Sequence, residues 1–313
     1  MLEGGDRLTW RIPFKSLSSS LSPDHVKKEL RTMLIASICT MNLFVLLVVE
    51  DQRIIVSDWL VNICAAAVVL VSVAILYRQK FKGLYGKTYG AFAIGLLLWF
   101  SAEMISTYEQ YSVMNSLPAG RGSIVPVSTT LEPSIADAIW LAGYGFFAYF
   151  LFKMMVHFSK SIKLRTLAVL TVITAVATLV LAQSITYYYT NMQRLVPEGS
   201  ATFLETISLF FKIEYPILDV LLIVPSLVIM LGLKGGKLTS TPWILLSSAV
   251  LILAVGDIGN VYFSILHIVE NHWIWKMFAT AGYLCIATSL FWYYRFFIFD
   301  PRKAAKIWQQ SNR

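Results

Sequence analysis

The sequence predicts an all-α integral membrane protein that crosses the bilayer about eight times, with both termini in the cytoplasm. Of its 313 residues, 57% are hydrophobic and only 14% are charged, and the mean hydropathy is +0.66. This apolar content is more than a single soluble core can bury, so lipid is the expected solvent for most of the chain. The formal net charge of +8 comes mostly from residues between the apolar runs, which argues against a nucleic-acid partner.

Eight segments satisfy the requirement of about 20 mostly apolar residues for a membrane helix. They lie near residues 31–50, 54–77, 87–108, 133–156, 165–190, 205–233, 242–267 and 273–296. Two four-helix units, 31–160 and 161–298, then lie between cytoplasmic tails at 1–30 and 299–313. We expect the first helix to begin with Ser22 as its N-cap and Pro23 as its first residue.

The orientation follows from the distribution of lysine and arginine. One side of the predicted bundle carries 21 of these residues and the other side carries 3, while Lys212 and Lys276 lie within spans. The basic side of a membrane protein is normally cytoplasmic. We therefore predict a multi-pass protein of the cell membrane, with lipid as its first partner.

Two strings recur in the same order in both units. Glu103 is followed five residues later by Tyr108, and Asp257 is followed five residues later by Tyr262. The next span of each unit contains A-G-Y-x-x-x-A, at 142–148 and at 281–287. This pattern predicts two pseudo-symmetric four-helix repeats.

The repeat also predicts one ion pair. If the two units superpose, Asp137 corresponds to Lys276, because each lies seven residues before the tyrosine of its A-G-Y string. Opposite charges at equivalent positions are expected to pair across the interface.

Eight ionisable residues fall inside the spans, and nearly all of them map to the outer half of the membrane. Each costs roughly 2.5 to 3.5 kcal/mol on insertion scales, so all should face the bundle interior or a wet cavity. They are Asp58, Glu103, Asp137, Lys212, Glu214, Asp219, Asp257 and Lys276. Six acids against two lysines leave a surplus of negative charge that requires protonated carboxyl groups, a bound cation or a cationic ligand.

We therefore predict an acidic cleft that opens to the outside. Its candidate ligand- or cation-binding residues are Glu103, Asp219, Asp257, Asp58, Asp137, Tyr108 and Tyr262. Lys276, Lys212 and Glu214 are assigned to structural ion pairs. Pro216 and Pro225 are expected to break or kink the helix around Asp219. No organic cofactor is predicted, and the identity of any bound cation is left open.

Four functions remain open on this pattern. A sensor or receptor-like module would bind a cation, protons or a small ligand in the cleft and signal to a separate partner. A cation- or proton-coupled transporter also fits a duplicated fold with buried carboxylates. Asp219 and Gly256-Asp257 resemble the aspartate pair of intramembrane aspartyl proteases, although Ala254 replaces one motif glycine. The fourth function is an accessory subunit of a membrane complex. The alternative to a functional role for the intramembrane charges is that they only pair with one another and fix the helix register.

The start of the fourth span carries a family resemblance. Pro133-Ser134-Ile135-Ala136-Asp137, followed by Leu141 and Tyr144, resembles a P-S-L-A-D-x-x-x-L-x-x-Y pattern of multi-pass input modules in prokaryotic signalling proteins. The resemblance implies sensing of an external or membrane-borne signal. Lys276 departs from it, because an aspartate is expected in the second copy. About 17 residues follow the last span, so a separate protein is expected to supply the output.

Overall fold

The computed structural model describes residues 23–79, 83–116, 134–158, 203–233, 240–265 and 272–299, and isolated positions between 169 and 187. Seven α-helices are formed by these ranges. They are α1 (Pro23–Leu47), α2 (Arg53–Gln79), α3 (Gly83–Ser116), α4 (Ile135–Phe158), α5 (Phe203–Gly232), α6 (Thr241–Ile265) and α7 (His272–Tyr293). A 3-10 helix, Glu50–Gln52, joins α1 to α2, and a π-helical turn, Tyr294–Phe299, follows α7.

Each of the seven helices contains a stretch long and apolar enough to cross a membrane. No strand occurs among the described residues, so the prediction of an all-α, multi-pass membrane protein is confirmed at this level. The predicted span at 165–190 lies outside the described residues, except for isolated positions such as Val176 and Gln183, which are helical. Most of both predicted tails also lies outside them.

The proline positions have different outcomes. Helix α1 is described from Pro23 onward, and its predicted N-cap, Ser22, lies outside the described residues. A break or a kink was predicted in α5, and of these the break is wrong, because the helix continues through both Pro216 and Pro225. Neighbouring helices and side chains in a membrane bundle satisfy the backbone groups that a proline leaves unpaired.

Six of the helices close into a ring. Helix α2 packs on α3, α3 on α4, α4 on α5, α5 on α6, α6 on α7, and α7 returns to α2. Helix α1 lies outside this ring, against α7 and α2. Large apolar side chains on the outward faces are exposed, for example Leu70, Ile94 and Phe291. In a membrane these faces contact lipid, which is as apolar as they are.

Aromatic side chains fill the part of the bundle near the start of α3 and the end of α4. Phe92 packs edge-on against Phe147, with ring centroids 5.3 Å apart, and lies 4.6 Å from the ring of Phe150. All three side chains are buried. This end of the ring between α3 and α4 is a packed apolar core.

Glycines allow α4 to approach α3 and α7 to approach α6. A Cβ atom added to Gly143 would collide with the ring of Trp99 and come within 3.4 Å of the Gly95 carbonyl oxygen. A Cβ atom added to Gly282 would come within 2.6 Å of the Leu253 side chain. Small residues at such positions permit close helix packing in membranes.

We predict that Gly143→Ala destabilises the protein by about 1 to 3 kcal/mol, because the added methyl group overpacks the contact with Trp99. Gly145→Ala is the matched control on the same helix, since nothing lies within 4 Å of its added Cβ. Thermal unfolding in detergent should show a lower midpoint for the first variant only. Equal midpoints would contradict the close approach of α3 and α4.

Candidate functional site

Five carboxyl groups and one ammonium group lie toward the same end of the ring. This is the end at which α2, α4 and α7 begin and α3 and α6 finish. Each of the six helices contributes one residue of this group, which we call the acidic cluster: Asp58, Glu103, Asp137, Asp219, Asp257 and Lys276. Contacts around the ring bring residues that are distant in sequence to one level of the bundle.

Lys276 joins two of the acids. Its Nζ atom lies 3.0 Å from Oδ1 of Asp58 and 3.6 Å from Oε2 of Glu103. The side chain of Asp58 is only 3% exposed, whereas those of Glu103 and Lys276 are 14% and 22% exposed. One cation therefore connects α2, α3 and α7, and the cluster approaches the surface through Glu103 and Lys276.

Tyr144 joins two further acids. Its hydroxyl oxygen lies 2.8 Å from Oδ1 of Asp219 and 3.3 Å from Oδ2 of Asp257. Tyr144 is buried, and Asp219 is 2% exposed. The tyrosine on α4 thus connects carboxyl groups of α5 and α6 in a site with little access to water.

The lysine group and the tyrosine group form one network. Asp257 interacts electrostatically with both Glu103 and Lys276. The buried hydroxyl of Tyr283 interacts with Glu103 and Asp257. A change of charge at any of these groups therefore changes the electrostatic energy of the others.

Asp137 has a different role from the one predicted. Its Oδ2 atom accepts a 2.9 Å hydrogen bond from the Ser134 backbone N–H, and the Ser134 hydroxyl accepts a 3.0 Å bond from the Ala136 N–H. This reciprocal arrangement is a capping box at the start of α4. The predicted pairing of Asp137 with Lys276 is wrong, because helix capping directs the carboxylate to its own N-terminus while Lys276 pairs with Asp58.

The second carboxylate oxygen of Asp137 links the cap to the cluster. Oδ1 accepts a 2.6 Å hydrogen bond from the hydroxyl of Tyr215 on α5. The ring of Tyr215 lies 6.2 Å from that of Tyr144, and its hydroxyl interacts electrostatically with Asp257. Asp137 is therefore connected to the other members of the acidic cluster through Tyr215.

Several buried acceptor atoms have no hydrogen-bond partner among the described residues. They are Oδ2 of Asp219, Oδ1 of Asn62 and Oε2 of Glu214. Asn62 is held by a 2.8 Å bond from its Nδ2 atom to the hydroxyl of Thr107. An unpaired buried acceptor costs about 1 to 3 kcal/mol, so each of these atoms favours a proton, a water or a cation beside it.

The structure separates other predicted residues from the cluster. Tyr108 is 72% exposed, because five residues along a helix turn a side chain about 140° away from Glu103. The side chains of Tyr262 and Lys212 lie outside the described part of the structure, so the Lys212–Glu214 pair is untested.

Sequence reasoning did not select Tyr144, Tyr215 or Asn62 as site residues. Tyr144 was visible in the A-G-Y string, and its place in a repeated motif was the available signal. The spacing Ser134-x-x-Asp137 was a signal for the capping box. Neither Tyr215 nor Asn62 belongs to a pattern that distinguishes it from other polar residues in membrane helices.

A pocket of about 670 Å³ lies beside α6 and α7. Its described lining includes Val255, Ile258 and Trp275 together with Gln183 and Tyr187 from the isolated positions, and none of the described lining residues is charged or belongs to the acidic cluster. Among the described residues, no group of three or more histidine, cysteine or acidic side chains is arranged to hold a metal ion. The candidate site is therefore the cluster itself.

Comparison with known proteins gives no relative: no protein-family model, curated protein or solved structure matches the chain. The function must be inferred from the site.

We predict that Lys276→Met destabilises the protein by about 3 to 5 kcal/mol, because it leaves the carboxylates of Asp58 and Glu103 without their cation. Adding Asp58→Asn should restore part of the loss, and thermal unfolding of both variants measures it. Lys153→Met is the control, since that exposed lysine lies over the ring of Tyr149 away from the cluster. Equal unfolding of Lys276→Met and Lys153→Met would contradict the pairing.

Proposed function

We propose that this protein is a sensor or receptor-like module of the cell membrane, in which the acidic cluster takes up a cationic species from outside. The bound species is a proton, a metal cation or a small cationic ligand. The observation that carries the proposal is the network itself, in which one residue from each of six helices shares one set of charges.

The composition of the cluster supports uptake of positive charge. The cluster contains five carboxyl groups and a single ammonium group, and two of the five acids, Asp58 and Asp219, are buried where hydration is poor. Charge of this kind is stabilised by protons or by a bound cation. Uptake would weaken repulsion between neighbouring helices.

The distribution over six helices supports a conformational response. Each interhelical contact in the ring has a charged or hydrogen-bonded residue near it, so a change in cluster charge alters the forces between neighbours around the ring. A ligand shifts a conformational equilibrium by its differential affinity for the two states. A separate partner protein would read the shift.

The proposal includes eight spans arranged as a duplication. Support comes from the glycine contacts: Gly143 packs on Trp99, four residues before the acid of α3, and Gly282 packs on Leu253, four residues before the acid of α6. Equal packing register in the two pairs of helices is expected of duplicated units. In this proposal the segment at 165–190 provides the missing span and corresponds to α1.

The orientation is proposed from the basic residues. The side with 21 lysines and arginines would face the cytoplasm, and the end that holds the acidic cluster would face outward. The cell membrane is then the location in which the cluster meets external protons and cations.

Three other functions are weighed against the sensor. A transporter needs a route to the opposite face, yet Phe92, Phe147 and Phe150 pack tightly at that end of α3 and α4. An aspartyl protease gains some support, because Asp219 and Asp257 both lie near one hydroxyl. In that site, however, the Tyr144 hydroxyl occupies the position between the carboxyl groups that a catalytic water would need. An accessory subunit would use the same contacts only to hold the bundle together.

We predict that lowering the pH or adding a cation that binds the cluster raises the midpoint of thermal unfolding of the purified wild-type protein, because a ligand that binds the folded state stabilises it. Asp257→Asn and Glu103→Gln should remove most of this rise. Glu50→Gln is the control, because Glu50 is exposed on the 3-10 helix, and it should keep the wild-type response.

A flat response in the wild type would contradict uptake of cations, and an equal response in all variants would assign the charges to structure alone. Flux measurements in proteoliposomes separate sensor from transporter. The sensor predicts no ion flux above that of empty vesicles, whereas a flux abolished by Asp257→Asn would replace the sensor by a transporter.

A further inference from the structure

The contact among Tyr144, Asp219 and Asp257 has two acceptor oxygens but only one hydroxyl hydrogen to donate. A phenol has one hydroxyl hydrogen and donates one strong hydrogen bond. Two carboxylate oxygens lie within reach of it, at 2.8 Å and 3.3 Å. If both carboxyl groups are ionised, one of these two oxygen–oxygen contacts has no hydrogen between its atoms. Two acceptor oxygens then repel each other in a buried site.

One added proton resolves the shortage. A protonated carboxyl group becomes a donor, so it donates to the tyrosine oxygen while the tyrosine donates to the other carboxylate. Both short approaches are then hydrogen bonds. The pair also carries one negative charge in place of two, which reduces like-charge repulsion in a poorly hydrated place.

The surroundings differ for the two acids. Asp219 is 2% exposed, its Oδ2 atom has no hydrogen-bond partner among the described residues, and its electrostatic neighbours there are Asp257 and Tyr144. Asp257 is less buried than Asp219, and it interacts with the carboxyl group of Glu103 and with the ammonium group of Lys276. A negative charge is therefore better accommodated on Asp257, and a proton on Asp219.

We propose that Asp219 and Asp257 are a proton-binding pair that holds one proton, bound at Asp219, with the hydroxyl of Tyr144 as the hydrogen-bonded bridge between the two acids. In the protonated state Asp219 donates to the Tyr144 oxygen, and Tyr144 donates to ionised Asp257. The step is an acid–base reaction: the carboxylate of Asp219 takes a proton from a hydronium ion, which gives a carboxylic acid and a water molecule with no change of oxidation state. The inference deepens the proposed function, on which it rests, by naming the proton as the bound cation.

Other titratable groups face this pair from the surrounding helices. They are Asp137 of α4, Tyr215 of α5, Glu103 of α3, Asp58 of α2, and Lys276 and Tyr283 of α7. Lys276 favours the ionised state of Asp257, whereas the carboxylates oppose it. Proton loss from Asp219 would place like charges on α5 and α6, which pack on each other, and would leave Tyr144 with two acceptors for one hydrogen.

Infrared spectroscopy of the full-length protein in an ester-free detergent tests the proposal directly, because a neutral carboxyl group has a carbonyl band well separated from carboxylate bands. At neutral pH the wild type should show such a band, shifted in heavy water and lost in strong alkali. Asp219→Asn should remove this band. Tyr144→Phe should keep the band but move it to higher frequency, because the hydrogen bond to the phenol is lost. Glu50→Gln, a change at an exposed acid, should leave the band unchanged.

Absence of the band from the wild type would overturn the proposal, and so would a band that Asp219→Asn leaves intact. If Asp219→Asn does not fold, Tyr144→Phe decides, since an unshifted band there contradicts the bridge. Failure of the proton pair and failure of the proposed function are distinguishable: a band that obeys these expectations without any effect of pH or added cations on stability would support the proton pair and remove the sensor. The reverse outcome, cation-dependent stability without the band, would remove only the proton pair.

Discussion

The need to neutralise buried carboxyl groups constrains this protein more than any other interaction. The outward faces of its helices are apolar, whereas the acidic cluster contains five acids and Lys276, with Asp58 and Asp219 buried. Turning any of these acids toward lipid would expose a charge to hydrocarbon, which fixes the rotation of each helix about its own axis. The five acids lie on five helices and Lys276 lies on the sixth. The need to neutralise the acids therefore affects the packing of every helix in the ring.

Two halves of the bundle have different chemistry as a result. Near the start of α3, interdigitated aromatic rings such as Phe92 and Phe147 provide a rigid apolar packing. At the other end, ion pairs and tyrosine hydroxyls replace apolar contacts, so the interaction energy depends on protonation and on bound cations. A bundle built in this way can hold its fold at one end while the packing at the other end responds to charge. This division favours a sensor over a transport route in the proposed account.

The sequence predicted the membrane class and the position of the acids, but not their partners. Length and apolar content are sufficient for spans, and ionisable residues in spans must turn inward, which is why Asp58, Glu103, Asp219 and Asp257 were identified. Which charges meet depends on helix rotation to within part of a turn, so symmetry wrongly assigned Asp137 to Lys276. Local capping chemistry at Ser134 took precedence over the pseudo-symmetric pairing. The motif Pro133-Ser134-Ile135-Ala136-Asp137 that carries the family resemblance thus has a structural use in starting α4.

Cysteine accessibility tests most directly whether the acidic cluster is reached from outside, through its partly exposed residue Glu103. In a variant with Cys39, Cys64 and Cys285 replaced by alanine, a single Glu103→Cys should react with a membrane-impermeant maleimide applied to intact cells. Leu96→Cys, two turns deeper on the same helix and 1% exposed, should resist it. An unreactive Glu103→Cys, or equal reaction at both positions, would contradict an external acidic site.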